Sequence, residues 1–336
     1  MAMRATPIEL RLRNTFRIAH GASDTRRNVL LQLDEGWGEA APVAYHGEQA
    51  AAVLEALAAH RPLLEASEPA AIRATLREVR ASPAARAAVD LALHDRLGKR
   101  LGANVRDMLG LAGLPAPRTS FTLPLAEADD LRRQAREAAA YPILKIKLGG
   151  PDDLASVAII REQAPGSALR VDANAGWSRE TARQLIPALI EHGVELIEQP
   201  LAVDDIEGYA LLRAANYAIP IFADEPIKSA ADVQQWAPLV DGVNIKLMKA
   251  GGIAGALDAI AAARAAGLQV MLGCMIETSL GASAALALAG LADLIDLDGP
   301  LLIANDPGAG LRYEGAELVP PSGPGLGVTI DPALLA

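Results

Sequence analysis

The chain has 336 residues, a formal net charge of −10, 51% hydrophobic residues and only 3% aromatic residues. Its length suits a barrel of about 250 residues with an added domain, and its acidic balance argues against nucleic acid or an anionic membrane as a partner. The scarcity of aromatic residues argues against base-stacking platforms, and the single cysteine, Cys274, excludes an internal disulfide and a multi-thiolate zinc site.

The first third of the chain predicts a small α+β domain. Three strand-like segments between residues 4 and 40, IELRL, NVLLQLD and GWGEAAP, indicate an antiparallel meander. Alanine-rich helices are expected over 50–66, 69–80 and 83–97. Ser82 is the expected N-cap of the third helix, and Gly98 follows its expected end. The glycine- and proline-rich segment 111–118 is the expected linker to the rest of the chain.

From residue 119 onward, short apolar strands alternate with segments of helical composition. The strands are expected over 119–124, 143–148, 169–174, 195–200, 219–224, 243–247, 269–275 and 294–298. Eight strands with crossover helices predict an α/β fold closed into a (β/α)8-type barrel. The pattern then stops being helical, and the proline- and glycine-rich tail is expected to pack on the leading domain. The predicted divisions are therefore 1–112, 113–310 and 311–336.

Three carboxylates stand at equal steps in the repetitive region, each at the C-terminal end of a short apolar run. They are Asp172 in VDANAGW, Glu198 in ELIEQP and Asp224 in FADEP, and each step is 26 residues (198 minus 172, 224 minus 198). One such step is about one strand plus one crossover helix, which places the acids side by side on successive parallel strands. Because three acids in one small space cannot all stay ionised without a cation, the sequence predicts a divalent metal site.

Lysines occupy the predicted strands on either side of these acids. Lys145 and Lys147 lie upstream in ILKIKL, and Lys246 lies downstream in VNIKLMKAGG. Residues i and i+2 of a strand share a face, so Lys145 and Lys147 both project into the barrel. A single lysine is more often a solvated surface charge, but these three lie inside apolar strands, at the same strand ends as the acids. A lysine pair flanking a metal suits removal of a proton from one face of a carbon and its return to the other.

Five ordered motifs carry a family resemblance: KIK at 145–147, DANAGW at 172–177, EQP at 198–200, ADE at 223–225 and NIKLMKAGG at 244–252. Together they resemble the enolase superfamily, in its muconate lactonizing subgroup, over nearly the whole chain. The resemblance implies a modified (β/α)8-type barrel and an N-terminal capping domain completed by the C-terminal tail. It further implies one Mg²⁺ per subunit at the three acids, with acid/base roles for Lys147 and Lys246.

The last predicted strand narrows the choice within that subgroup. LIDLDGP places Asp296 and Asp298 on one face, at the mouth of the barrel, and two further acids exceed what the metal needs. A carboxylate pair suits the three donors of an α-ammonium, whereas the alternative is that the acids cap a following helix. The Asp-x-Asp pattern resembles the dipeptide epimerases, and GCMIETS at 273–279 matches the same branch. The resemblance implies substrate contacts from Thr122, Cys274, Met275 and Ile276.

The implied reaction is epimerisation at the α-carbon of the C-terminal residue of an L,L-dipeptide. The substrate carboxylate would bind Mg²⁺, and the metal together with Lys145 would stabilise the enediolate that forms when the α-proton leaves. Lys147 and Lys246 would serve opposite faces of this carbon, so that its configuration inverts.

The leading domain is expected to set side-chain specificity. In dipeptide epimerases that act on Ala-Glu, the loop after the first strand presents an arginine to the glutamate side chain, whereas the comparable stretch here is FRIAHGASDTRR. His20 or Gly21 falls at the position of that arginine, and His20 is the candidate contact. Arg17, Arg26 and Arg27 are nearby in sequence but out of register, so the second residue of the dipeptide stays open.

Several alternatives share parts of this pattern. Muconate cycloisomerase, o-succinylbenzoate synthase and N-acylamino acid racemase would use the same metal and lysines, but their substrates have no free α-ammonium for the two acids of the last strand. A non-catalytic binding module is disfavoured by the retained acids and lysines, and a Schiff-base aldolase has no need of the acidic triad. Because the N-terminus has no apolar signal core, we expect a cytoplasmic enzyme with a small-molecule dipeptide substrate. A homo-oligomeric state is left open.

Overall fold

The leading region of the computed structural model, which describes residues 2–68, 70–331 and 333, is a three-stranded antiparallel sheet with helices. Its strands are β1 (Met3–Ile18), β2 (Gly21–Leu33) and β3 (Gly36–Ala40), in the order β1-β2-β3, which confirms the predicted meander. The helices are α1 (Ala50–Ala59), α2 (Arg61–Ala66), α3 (Ile72–Glu78), α4 (Pro83–Leu101) and α5 (Val105–Met108). Apolar residues of β2, α1 and α4 form the core of this region.

Two predicted helix boundaries in this region are wrong. The helix expected over 50–66 is interrupted at His60, because Pro62 has no N–H to continue the ladder and starts a new helix instead. Helix α4 does not end before Gly98 but continues to Leu101, and Gly102 caps it in the left-handed conformation (φ 65°). Gly98 instead allows the tail to approach, since a Cβ there would lie 2.6 Å from the Cα of Gly325.

Two further predictions concern where helices begin, at Ser82 and at Pro69. Ser82 is confirmed as the N-cap of α4, because its Oγ accepts a hydrogen bond from Ala85 N at 3.4 Å. The second predicted helix was expected to begin at Pro69, which lies outside the described residues.

Eight parallel strands form the barrel. They are β4 (Phe121–Leu123), β5 (Ile143–Lys147), β6 (Ala168–Asp172), β7 (Val194–Glu198), β8 (Ile221–Ala223), β9 (Gly242–Lys246), β10 (Gln269–Gly273) and β11 (Leu294–Asp296). They are hydrogen-bonded in sequence order, and a parallel bridge between Thr119 and Ile295 joins the two edges, which closes the barrel. All eight predicted strands are confirmed.

Helices surround the barrel and complete the fold. They are α6 (Ala128–Glu137), α7 (Asp153–Gln163), α8 (Arg179–Glu191), α9 (Ile206–Ala215), α10 (Ala230–Trp236), α11 (Leu247–Ala250), α12 (Ile253–Ala265), α13 (Ser279–Leu286) and α14 (Gly299–Leu302). Outward-facing strand residues, such as Ile146, Val171 and Ile197, are buried in the core between the barrel and these helices. None of the helices in the described part of the chain combines the length and apolar character that a membrane crossing requires.

The last part of the chain forms short strands: β12 (Gly308–Ala309) at the end of the barrel segment, and β13 (Arg312–Glu314), β14 (Glu317–Val319) and β15 (Thr329–Ile330) in the tail. The tail contacts the C-terminal half of α4 and the start of α5: Leu326 N donates to Asp95 Oδ1 at 2.7 Å, and Val105 N donates to Gly325 O at 2.8 Å. These contacts support our proposal that the chain divides into a capping domain at 1–112, a barrel at 113–310 and a returning tail at 311–336. Within that tail, residues 332 and 334–336 lie outside the described residues.

Buried polar contacts join the leading sheet to the barrel mouth. Asn28 Nδ2 donates to Ile276 O at 3.0 Å, and Glu39 accepts from Thr278 Oγ1 at 2.6 Å and from Gly281 N at 3.1 Å. All of these barrel groups lie just after β10. The leading sheet is therefore held over the loop that was predicted to contact the substrate.

We expect Gly38→Ala to destabilise the fold, because β3 and α4 are in backbone contact there. A Cβ at Gly38 would lie 1.9 Å from Ala88 O and 2.8 Å from Ala92 N, so the strand and the helix would have to separate. The expected loss is about 3 kcal/mol of unfolding free energy, measured by chemical denaturation. Gly166→Ala is the control, since a Cβ at Gly166 meets nothing within 4 Å. Equal stability of the two variants would contradict the packing described.

Candidate active site

The three predicted metal ligands meet at one end of the barrel. Asp172 and Glu198 are the last residues of β6 and β7 and are paired with each other in the sheet, and Asp224 directly follows β8. All three side chains are fully buried, and one carboxylate oxygen from each lies within 4.8 Å of the others. The described part of the chain therefore holds a compact set of three hard oxygen donors, which is the donor type that Mg²⁺ prefers.

One oxygen of each carboxylate is held by a protein donor. Asn174 N donates to Asp172 Oδ1 at 2.9 Å, Asn244 Nδ2 donates to Glu198 Oε1 at 2.8 Å, and Lys249 Nζ bonds Asp224 Oδ1. The backbone also helps to fix these carboxylates. Just beyond the ends of β6 and β7 it adopts the left-handed conformation, at Asn174, Ala175 and Gln199. The carboxylates are thus fixed in orientation, each with its second oxygen turned toward the other acids and the lysines.

The lysines contact those second oxygens. Lys147 Nζ lies 2.7 Å from Asp172 Oδ2, and Lys246 Nζ lies 2.7 Å from Asp224 Oδ2. Lys145 Nζ forms an ion pair with Glu198 Oε2 at 2.8 Å, but the angles at this contact do not suit a hydrogen bond. This buried oxygen therefore has no hydrogen-bond partner in the described part of the chain. A buried carboxylate oxygen in that condition fits a metal ligand.

The charges in this cluster perturb one another strongly. Burial and the neighbouring Asp172 raise the pKa of Glu198 to about 8. Burial acts in the same direction on Asp172, but Lys147 and Lys145 outweigh it and hold the pKa of Asp172 well below its usual range. Lys246 and Lys249 likewise hold the pKa of Asp224 well below its usual range against the effect of burial. Glu198 is therefore the least acidic of the three, and a bound cation would favour its ionised form.

Lys145, Lys147 and Lys246, together with Asp296 at the end of β11 and Asp298 just beyond it, line one cavity beneath the leading sheet. Its barrel wall also includes Thr122, Cys274, Met275 and Ile276, so these predicted substrate contacts lie together. The leading region contributes Phe16, Ile18, Arg26, Val43 and Tyr45. His20 lies instead on the walls of neighbouring outer cavities, where its ring stacks on Tyr45 with centroids 5.3 Å apart.

Asp296 and Asp298 have different partners. Asp296 accepts from Ser120 Oγ at 2.6 Å and from Lys145 Nζ at 2.7 Å, and Lys145 outweighs burial to keep the pKa of Asp296 below its usual range. Asp298 accepts from Thr122 N at 2.6 Å, and burial together with Asp296 raises its pKa to about 7. Asp298 precedes α14, but its side chain makes no capping hydrogen bond, so the helix-capping alternative is not observed.

Comparison with known proteins agrees with this geometry. The model of the N-terminal domain of mandelate racemase / muconate lactonizing enzymes matches residues 3–110, and the enolase C-terminal domain-like model matches residues 129–334. The chain belongs to the mandelate racemase/muconate lactonizing enzyme family of the enolase superfamily. An L-Ala-D/L-amino acid epimerase from Pedosphaera parvula is 37% identical, over 94% of this chain and 94% of that protein.

Two solved structures of this family have the same fold. A dipeptide epimerase from Cytophaga hutchinsonii, complexed with Mg and the dipeptide D-Ala-L-Val, aligns with a TM-score of 0.92 and 26% identity, over 99% of this chain and 96% of that chain. An N-succinyl Arg/Lys racemase from Bacillus cereus aligns with a TM-score of 0.90 and 28% identity, over 100% of this chain and 97% of that chain. This family member is therefore an isomerase that acts on amino acid derivatives and uses Mg²⁺, and the buried carboxylates of Asp172, Glu198 and Asp224 form a group that can hold a metal ion.

Sequence reasoning missed several residues of this family site. Asn244 lies two positions before Lys246 on β9, so the two-residue period of a strand would have placed it on the inner face. Lys249 lies in the quoted motif NIKLMKAGG, one helical turn beyond Lys246, but nothing in the sequence shows that it reaches Asp224. Arg26, which falls out of register in the sequence comparison, and Tyr45, which has no sequence signal, line the cavity from the leading region. The contacts of that region with the barrel depend on packing between segments distant in sequence.

Proposed function

We propose that the protein is a Mg²⁺-dependent dipeptide epimerase that inverts the α-carbon of the C-terminal residue of an L,L-dipeptide by two-lysine 1,1-proton transfer. The carrying observation is the placement of Lys147 and Lys246. They come from β5 and β9, the strands that flank the three ligand strands, and both line the same cavity. A carbon held between them presents one face to each lysine, which is the arrangement that inversion by proton removal and return requires.

The charge distribution supports this assignment. Bound Mg²⁺ supplies positive charge next to the substrate carboxylate, which gains negative charge as the α-proton leaves. Lys145, which is 2% exposed and lies between Asp172, Glu198 and Asp296, adds a fixed second positive charge on the same side. Lys147 and Lys246 accept the proton at Nζ on one face and donate a proton from Nζ on the other. Their burial, 8% and 4% exposed, keeps bulk water from competing for the proton.

Asp298 favours a dipeptide over an acylated amino acid. It is 3% exposed, lines the cavity, and accepts a hydrogen bond from the backbone N–H of Thr122. The side chain of Thr122 is also within hydrogen-bonding reach, but no lysine or arginine forms an ion pair with Asp298 in the described part of the chain. An α-ammonium would supply the missing positive charge and donors, whereas an N-acyl group, a muconate or a succinylbenzoate precursor would not.

The proposal is tested by incubating the enzyme with libraries of L,L-dipeptides in deuterated water with Mg²⁺. Turnover adds one deuterium at the α-carbon of the C-terminal residue, which fragment masses locate. The same screen with N-acylamino acids is the comparison. Exchange confined to N-acylamino acids would assign the protein as an N-acylamino acid racemase instead.

A specific prediction concerns the amine of the substrate. Acetylation removes its charge and leaves the buried Asp298 without a positively charged partner, so we expect N-acetyl dipeptides to be very poor substrates. Asp298→Asn should lower kcat/KM for free dipeptides by roughly ten- to a thousandfold, the worth of one charged contact. Asp204→Asn, at an exposed carboxylate in a surface loop, is the control. Native activity of Asp298→Asn on free dipeptides would contradict the role assigned to this residue.

A further inference from the structure

The segment after Lys246 lies between the barrel and the leading region. Beyond β9 the chain forms the short helix α11, turns at Gly251 and Gly252 with φ values of 79° and 105°, and enters α12. Lys249, within α11, bonds Asp224 of the triad, so this segment carries a further buried lysine of the cluster. Because α11 has only four residues, the place of this turn limits where the two lysines can lie relative to the acids.

Asp90 of α4 fixes this turn from the leading region. The side chain is fully buried, and its Oδ2 accepts hydrogen bonds from the first two N–H groups of α12, that of Ile253 and that of Ala254, the latter at 3.3 Å. These groups have no partner within their own helix, and the carboxylate also places a negative charge at the positive end of the helix dipole. The approach is close, since a Cβ at Gly252 would overlap the Asp90 side chain.

Two other contacts join the leading region to the same segment. Ala41 N, just beyond β3, donates to Met248 Sδ at 3.4 Å, and Arg73 of α3 pairs with both oxygens of Asp258 in α12, at 2.8 and 2.9 Å. The first is a weak hydrogen bond to sulfur, and the second joins side chains that are each 54% exposed. The buried, charged contact of Asp90 is therefore the strongest of the three.

The turn after the other lysine of the pair, Lys147, is held in a different way. Beyond β5, the N–H groups of Gly149 and Gly150 donate to the buried carboxylate of Asp153 at 2.9 to 3.1 Å. This carboxylate belongs to α7 of the barrel itself. A change at Asp90 therefore reaches the segment after β9 and leaves the hydrogen bonds of the turn after β5 intact.

We propose that Asp90 is a positioning residue that holds Lys246 in line with the reacting carbon. This inference rests on the function proposed above and adds to it a residue of the leading region that acts through the turn between α11 and α12. Asp90 lies outside the wall of the catalytic cavity, so it acts without contact with the substrate. A small displacement of a catalytic group slows proton transfer strongly. Loss of the cap therefore slows the reaction on the Lys246 face of the carbon and not on the Lys147 face.

The test measures α-proton exchange in deuterated water with Mg²⁺, counted whether or not the carbon inverts. The probes are the L,L-dipeptide that the library screen turns over fastest and its L,D epimer, supplied separately. Asp90→Ala lowers the exchange rate of the diastereomer that Lys246→Ala fails to exchange by roughly ten- to a hundredfold, and that of the other by less than about twofold. Asp90→Asn keeps an oxygen that accepts from the helix N–H groups, so it slows the same diastereomer less.

Asp95→Ala is the matched control. Asp95 is fully buried on the same helix, but it accepts from Trp37 N and from Leu326 N of the tail instead of from α12. Chemical denaturation should show that Asp95→Ala loses stability, while the ratio of its two exchange rates stays native. The ratio is measured on one protein, so a general loss of folded enzyme does not alter it.

The outcomes separate this inference from the proposed function. Equal slowing of both diastereomers in Asp90→Ala, or an equally altered ratio in Asp95→Ala, overturns the role of Asp90 and leaves the epimerase intact. If Asp90→Ala does not fold, Asp90→Asn decides, and a native ratio in that variant overturns the role. Failure of the native enzyme to exchange the α-proton of any dipeptide overturns the proposed function, and the role of Asp90 with it.

Discussion

Replacing either Lys147 or Lys246 by alanine should abolish net epimerisation. In the proposed mechanism each lysine serves one face of the reacting carbon, so inversion needs one to remove the proton and the other to return it. We expect kcat for the conversion of an L,L-dipeptide to fall by about a hundred- to ten-thousandfold in each variant, the usual contribution of a positioned general acid or base. Polarimetry or chiral chromatography of the product measures this directly.

The structure offers a matched control for these variants. Lys228 is an exposed lysine on the rim of an outer cavity, away from the cluster of acids and lysines. Lys228→Ala should keep native activity and native stability. Near-native epimerisation by Lys147→Ala or Lys246→Ala would show that a two-base assignment is wrong.

Loss of the metal site should have an effect of similar size. Glu198→Gln keeps the shape of the side chain but removes the negative charge from the oxygen that has no hydrogen-bond partner in the described part of the chain. We expect turnover to fall by about a thousandfold or more, because several kcal/mol of charge stabilisation depend on the bound cation. Mg²⁺ binding, measured by titration calorimetry, should weaken in parallel.

Thermal stability gives a second readout of the metal that does not require turnover. A ligand that binds only the folded protein raises its stability, so Mg²⁺ should raise the Tm of the native protein and should raise it much less in Glu198→Gln. Glu195→Gln is the control, since Glu195 lies on the same strand but is exposed and pairs with Arg170 at 3.4 Å. Full activity of the native protein in excess chelator would contradict a metal-dependent reaction.

The barrel and the proximity of its three buried acids were predictable because they depend on local patterns. Strands and helices repeat at a nearly constant step, and parallel strands of a barrel all end at the same face. Equal sequence spacing of Asp172, Glu198 and Asp224 therefore implies proximity in space, whatever the details of the helices between them. The inward direction of Lys145 and Lys147 follows from the two-residue period of a single strand.

The features that the sequence did not reveal depend on contacts between distant segments. Asp296 and Asp298 are equivalent in the motif, yet Lys145 and Ser120 bind Asp296, whereas Asp298 is hydrogen-bonded to Thr122 and has no ion-pair partner among the described residues. The end of α4 was misplaced because Gly98 is required by the approach of Gly325, more than 200 residues later in the chain. Arg26 faces the cavity only because the leading sheet is fixed over the barrel.

The most direct measurement of the central claim is α-proton exchange by the single lysine variants, with each diastereomer supplied separately. In deuterated water with Mg²⁺, Lys147→Ala should exchange the C-terminal α-proton of only one diastereomer, and Lys246→Ala should exchange that of only the other, as followed by proton NMR. Neither variant should interconvert the two diastereomers at more than a trace of the native rate. If both variants exchange the same diastereomer, or if either one exchanges both, the two lysines do not act on opposite faces of the carbon.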